Sequence, residues 1–283
     1  MQIRKNFFTM FELLISVGLL VILSVVLLRT FQLTADYWKF SAEQSDTYID
    51  AKIIMTQLND DISNMLYEMA PESVDKKISV PLYTGSFTVS YTAIKPLNSD
   101  GSEGTARGWC VGLVTRVPVT EENPSGISKV AYIYYPPAAQ GSSNPITNST
   151  ATGKDHGVLM RGTVTETTAN YLNGGQTMQN FYQGAMASAT QIADGILDFK
   201  VQAYSLSGTT FTAKNYNSST HNIKGMDDVS ALRLTMTMMP VDKLEEYRQL
   251  LNKSGVTSEE KHDFIHKHGR KFSRTFWVNA LTQ

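Results

Sequence analysis

From Phe7 to Leu28 the chain runs 22 residues with a single charge, Glu12, and the stretch from Leu13 to Leu28 carries none. A helix of this composition has no polar face to offer water. About 20 apolar residues at ~1.5 Å rise cross the roughly 30 Å hydrocarbon core of a bilayer. Arg4 and Lys5 precede the run, and Arg29, Asp36, Lys39 and Glu43 follow it. The basic leading flank predicts a cytoplasmic N-terminus, with the rest of the chain outside, in the periplasm of a Gram-negative cell.

A secretory signal peptide needs an apolar region of about 7–15 residues and a small-x-small cleavage site. This run is longer and ends in Leu-Leu-Arg-Thr-Phe. A signal anchor fits the length and the flanks. Neither reading accounts for Glu12. A carboxylate among hydrocarbon costs a few kcal/mol, so an ionisable residue there marks function unless it lies in the interface.

Beyond the run there is no Pro or Gly until Pro71. Ala51, Met55, Leu58, Ile62, Met65 and Met69 recur at spacings of four and three, a helical stripe. Asp60 and Asp61 fall off it, on the expected solvated face. One helix is therefore predicted from Phe8 to about Met69, on the order of 90 Å long. After Pro71, short β-branched or alternating runs are separated by Gly, Asn, Ser and Pro clusters. Strands are expected at Ser86–Ile94, Trp109–Val119, Lys129–Tyr135, Gly157–Val164, Ile196–Ser205, Val229–Met239 and Lys271–Ala280. Long polar loops are expected at Gly141–Asp155, Thr165–Gln191 and Leu206–Met226. Between the last two strands, residues 241–270 read as a charged helical insertion. From Val241 to Arg274 there are eight Lys or Arg and six Asp or Glu. Leu244, Tyr247 and Leu251 form its apolar edge, and Thr257 with Glu260 reads as a capping box.

The expected fold is thus α+β. A long N-terminal transmembrane helix packs on a mostly antiparallel β domain, with a helical insertion before the last strand. The division is a short basic leader at 1–7, a membrane half of the helix at 8–30, its extracytoplasmic half at 31–70, and a β-rich domain at 71–283.

Phe8-Thr9-Met10-Phe11-Glu12-Leu13-Leu14 resembles the type IV pilin signature, FTLIELL after a cleaved glycine. The resemblance implies a leader of Met1 to Phe7 removed by prepilin peptidase, and a new N-terminus at Phe8 that becomes N-methylated. It also implies that Glu12 is the assembly carboxylate, pairing with a terminal amine when subunits pack. Phe7 stands where the family has Gly. Further along, Tyr132-Ile133-Tyr134-Tyr135 with Gly157-Val158-Leu159-Met160-Arg161 resembles paired strands of J-type minor pseudopilins of type II secretion. The segments Ala193–Tyr204, Asp228–Met236 and Phe272–Val278 resemble later blocks of that family, and W-type minor pilins carry similar text. The implied protein is a low-copy or tip subunit in the bacterial inner membrane. Its implied partners are I-, K- and major-type pseudopilins, prepilin peptidase and inner-membrane lipid. A second reading is an uncleaved membrane-anchored binding module for a polymer or surface ligand.

Other chemistry is sparse. The formal net charge is −1, which gives no global attraction to nucleic acid. Cys110 is the one cysteine, so neither an intrachain disulfide nor a multi-cysteine zinc site can form. It reads as a buried small hydrophobe. His262 and His266, with His268 beyond them, have the i, i+4 spacing of metal ligands. The neighbouring Lys261, Lys267 and Arg270 favour a solvated basic helix end instead. Asn98 to Glu103 has the look of a calcium-loop fragment without the bidentate Glu, and reads as a turn. There is no Walker A, G-x-S-x-G or Rossmann fingerprint. The expectation is no enzyme and no cofactor.

Overall fold

The computed structural model describes residues 9–66, 68–69, 78–80, 82–88, 107–136, 157–165, 185, 188–207, 209–214, 226–227 and 229–278. Phe7, Phe8, Pro71, Asn98–Glu103 and the Gly141–Asp155 loop lie outside them, as do most of the other two long loops. The chain divides into two units, one ending at Asp46 and the other beginning at Thr47. Helix α1 (Met10–Ser63) belongs to both.

In the first unit α1 stands alone. Every side chain from Met10 to Lys39 is exposed, and this segment is long and apolar enough to cross a membrane. Its few hydroxyls are satisfied within the helix. Ser16 donates to the Glu12 carbonyl at 2.8 Å, Thr30 to that of Val26 at 2.9 Å, and Thr34 to that of Thr30 at 2.8 Å. Internal satisfaction of this kind is what hydrocarbon demands.

In the second unit α1 buries Thr47, Ala51, Ile54, Leu58 and Ile62. This is the expected stripe with Ile54 at its centre and Met55 half-buried beside it. The helix stops at Ser63, six residues short of the expected end. The Leu66 N–H donates to the Val114 carbonyl at 2.8 Å, and the Arg116 N–H donates to that of Asn64 at 2.7 Å. A strand some 50 positions away thus takes the backbone groups that another helical turn would need, and Met65 stays buried in an extended bridge to Thr115. Glu68–Met69 (β1) pairs with Ile78–Val80 (β2), which pairs with Met226–Asp227 (β9), in a small separate sheet.

The main sheet is antiparallel, in the order β11-β10-β7-β6-β5-β4-β3. Its strands are β3 (Tyr83–Thr88), β4 (Arg107–Arg116), β5 (Ile127–Tyr135), β6 (Gly157–Thr165), β7 (Thr190–Ser207), β10 (Ala231–Met238) and β11 (Arg270–Trp277). Each overlaps an expected strand. The fold is therefore α+β, with a long apolar N-terminal helix, a mostly antiparallel sheet and a few helices. A further strand of this sheet, β8 (Thr210–Lys214), lies inside an expected loop and pairs with β7. At 18 residues β7 is long enough to serve two partners in turn, β6 as far as Ile196 and β8 from Ala203. In the interval, the Val201 carbonyl accepts from Trp109 Nε1 at 3.1 Å and from the Thr84 hydroxyl. A buried carbonyl left without a strand is thereby satisfied by side chains from β3 and β4.

The core packs α1 onto Val111, Leu113, Val130, Tyr132, Tyr134, Leu159, Phe199, Val201, Leu234 and Met236. Cys110 is fully buried, as expected, and burial pushes its thiol up. Helices α2 (Val241–Asn252) and α3 (Ser258–His268) form the expected insertion. The Thr257–Glu260 capping box is present. A bulge at Leu197 takes that residue out of the main core and into a second cluster with Met239 and Tyr247. Two residues earlier, where β7 also shifts register against β6, Gly195 has φ 71°, a left-handed backbone that favours glycine.

Candidate functional site

Thr9 is the residue before the first turn of α1, and Glu12 is the third within it. The Thr9 N–H donates to Glu12 Oε2 at 2.9 Å, and the Thr9 hydroxyl donates to the same oxygen at 2.9 Å. In return the Glu12 N–H donates to Thr9 Oγ1 at 3.3 Å. This is a capping box, and Thr-x-x-Glu before an apolar run is its signature. The same local signature stands at Thr257, where it opens α3. Glu12 is thus held by its own helix, close to the positive end of the helix dipole. A carboxylate offers about four acceptor positions, so Oε2 can keep Thr9 while the group accepts from a further cation.

Asp61 departs from the expectation of a solvated face. Asp60 is exposed, but Asp61 forms an ion pair with Arg161 of β6. Arg161 Nη2 reaches Oδ1 at 2.9 Å and Nε reaches Oδ2 at 3.1 Å, a two-point contact. Tyr132 of β5 donates its hydroxyl to Oδ2 and accepts from Arg161 Nε at 3.1 Å. Tyr132 and Arg161 are direct cross-strand partners. Burial, then the adjacent Asp61 carboxylate, pushes the Tyr132 phenol up and keeps it a donor. The sequence missed this cluster because its three members are far apart along the chain. The two family-like blocks around Tyr132 and Arg161 were the available signal. Their structural role is to secure the end of α1.

His262 and His266 lie on α3. Among the described residues, no group of three or more His, Cys, Asp or Glu is placed to hold a metal ion. His268 sits against the Phe264 ring, centroids 4.5 Å apart. Partial burial, followed by Lys243 and Lys267, holds its imidazole below the ordinary 6.5. Its protonation therefore favours the unfolded state. The contribution of the neutral His268 to stability is present above about 6.5 and is lost as pH falls through the lowered folded value. NMR titration of the His268 Cε1 proton should give a midpoint under 6.5, lower than that of a denatured reference.

Compared with known proteins, the chain matches no family model, no curated protein and no solved structure.

Proposed function

We propose that this chain is a pilin-like minor subunit, most like the J-type pseudopilin of type II secretion. It would be anchored in the bacterial inner membrane by α1, N-terminus in the cytoplasm and β domain in the periplasm. From there it would enter a short fibre as a low-copy or tip component in protein export. One observation carries this reading. The exposed apolar run of α1, as far as Leu28, bears one carboxylate, Glu12, in the first turn, and that same helix continues into the core of an antiparallel β domain. Apolar surface of this extent needs lipid or other helices around it. The capping box holds the carboxylate at the helix start, ready to meet a neighbouring subunit's terminal amine. Paired, a buried charge becomes tolerable. The role is assembly, with other pilin-like subunits and prepilin peptidase as partners.

Intact mass of protein extracted from its own membranes tests the processing. Loss of Met1 to Phe7 with gain of one methyl group is expected. Glu12→Ala should leave that processing unchanged while abolishing co-purification with I- and K-like subunits. An intact N-terminus, with no pilin-like partner recovered, would overturn the reading in favour of a permanently anchored binding module.

A further inference from the structure

Off the helix, four large hydrophobics are exposed among the described residues: Val119, Leu206, Phe211 and Trp277. Three of them gather in one place. Phe211 lies 5.7 Å from Trp277 and 6.4 Å from Tyr204 between ring centroids, and Leu206 is the cross-strand partner of Phe211. Register places this cluster at one end of the sheet's outer face. Tyr204, Ala231 and Trp277 form one row across β7, β10 and β11. Because side chains alternate between faces, every second residue continues that face. The next rows are Gln202–Arg233–Thr275, Lys200–Thr235–Ser273 and Asp198–Thr237–Lys271. Their opposite neighbours, Phe199, Val201, Leu234 and Met236, fill the core.

The outer face therefore carries an aromatic platform that runs into a ladder of hydroxyls and cations. Arg233, Lys200, Lys271, Ser273 and Thr275 are exposed. The three rows nearest the aromatics hold Arg233 and Lys200 and no carboxylate. Asp198, in the fourth row, interacts with both Lys200 and Lys271. A chain with formal net charge −1 thus presents a locally cationic strip. Arg233 is oriented by its bond to the Ser273 hydroxyl at 3.2 Å, and the Lys200 ammonium lies 5.6 Å from the Trp109 ring centroid.

We propose that this face binds an acidic polysaccharide, a polymer of uronic-acid type. The C–H faces of pyranose rings stack on Trp277 and Phe211, which are large apolar surfaces at the end of the strip. Thr275, Ser273 and Thr235 exchange hydrogen bonds with sugar hydroxyls. Arg233 and Lys200 meet carboxylates, Arg233 through its planar fork. The charge density decides against a single-stranded nucleic acid. Such a ligand carries a charge on every nucleotide, and its affinity is built from many Lys and Arg contacts. An extended polymer can run along the successive rows of the sheet face, from Trp277 past Arg233 to Lys200. The proposal is independent of fibre assembly, since it concerns the outer face of the β domain and needs neither processing of the leader nor a subunit partner.

The test uses the full chain in lipid nanodiscs and fluorescently labelled oligogalacturonate, with neutral dextran and oligo-dT as comparators. Saturable binding of oligogalacturonate that weakens with added salt is expected, with none of dextran. Trp277→Ala should lower affinity about tenfold. Arg233→Gln should lower it and flatten its salt dependence. Both side chains are exposed, so each variant should stay folded, with its thermal midpoint lowered by no more than a few degrees. No oligogalacturonate binding, or binding that neither variant alters, would overturn the proposal. Preference for oligo-dT would equally overturn it and make the face a nucleic-acid surface. None of these results bears on the intact-mass experiment, so the two readings fail separately.

Discussion

Gly157→Ala is expected to lower the thermal midpoint of the β domain by roughly 6–12 °C, the equivalent of about 3 kcal/mol for a unit of this size. A Cβ on Gly157 would lie 1.9 Å from the Ile196 carbonyl oxygen and 2.8 Å from the Tyr134 ring. Neither neighbour can give way. The carbonyl is backbone at the Leu197 bulge, and the Tyr134 ring is buried against Phe199, centroids 6.0 Å apart. The added methyl must push β6 from β7, and overpacking of this kind is destabilising even where side chains alone have to move. Gly18→Ala is the control. Nothing lies within 4 Å of its added methyl, and a helix gains up to about 1 kcal/mol when Ala replaces Gly. Near-UV circular dichroism melts of both variants in the same detergent provide the comparison. Equal midpoints would show that the Gly157 contact is not tight.

Asp61→Ala is expected to cost about 2–3 kcal/mol, somewhat below the range for a fully buried pair. The discount reflects residual exposure, with the side chains 21% accessible at Arg161 and 13% at Asp61. The loss arises because Arg161 and the Tyr132 hydroxyl are left with unsatisfied donors under the helix. Asp61→Ala combined with Arg161→Met removes both charges and fills part of the space. The double variant should therefore be more stable than the sum of the single effects predicts, by at least ~1 kcal/mol. Strict additivity in a urea-melt cycle would mean that the pair is solvated and does not secure the helix.

Much of the architecture was legible because it rests on local pattern. The apolar run beginning at Phe7 needs no tertiary context to be recognised. Strands β4, β5, β6, β10 and β11 were visible from their β-branched and aromatic runs, and the helical insertion from its charge density and Thr257–Glu260 box. Those signals are intrinsic to a few consecutive residues, and propensity and periodicity operate on that scale. The Glu12 cap was equally local. Thr9 stands three residues before Glu12, which is the capping-box spacing.

What the tertiary structure decided was every contact between distant residues. Where α1 ends is set by β4, which captures Asn64 and Leu66 at a point where the apolar stripe alone would carry the helix on to Met69. Asp61 reads as solvent-facing until folding brings Arg161, a hundred positions away, within 3 Å of it. β8 emerged inside a polar loop because β7 overruns β6 and has an open flank to offer. The outer face that joins Trp277 and Phe211 to Arg233 and Lys200 exists only through the register of four strands. A short sequence window records which backbone conformation is cheap, and it cannot record which distant strand will supply the missing donor, acceptor or charge.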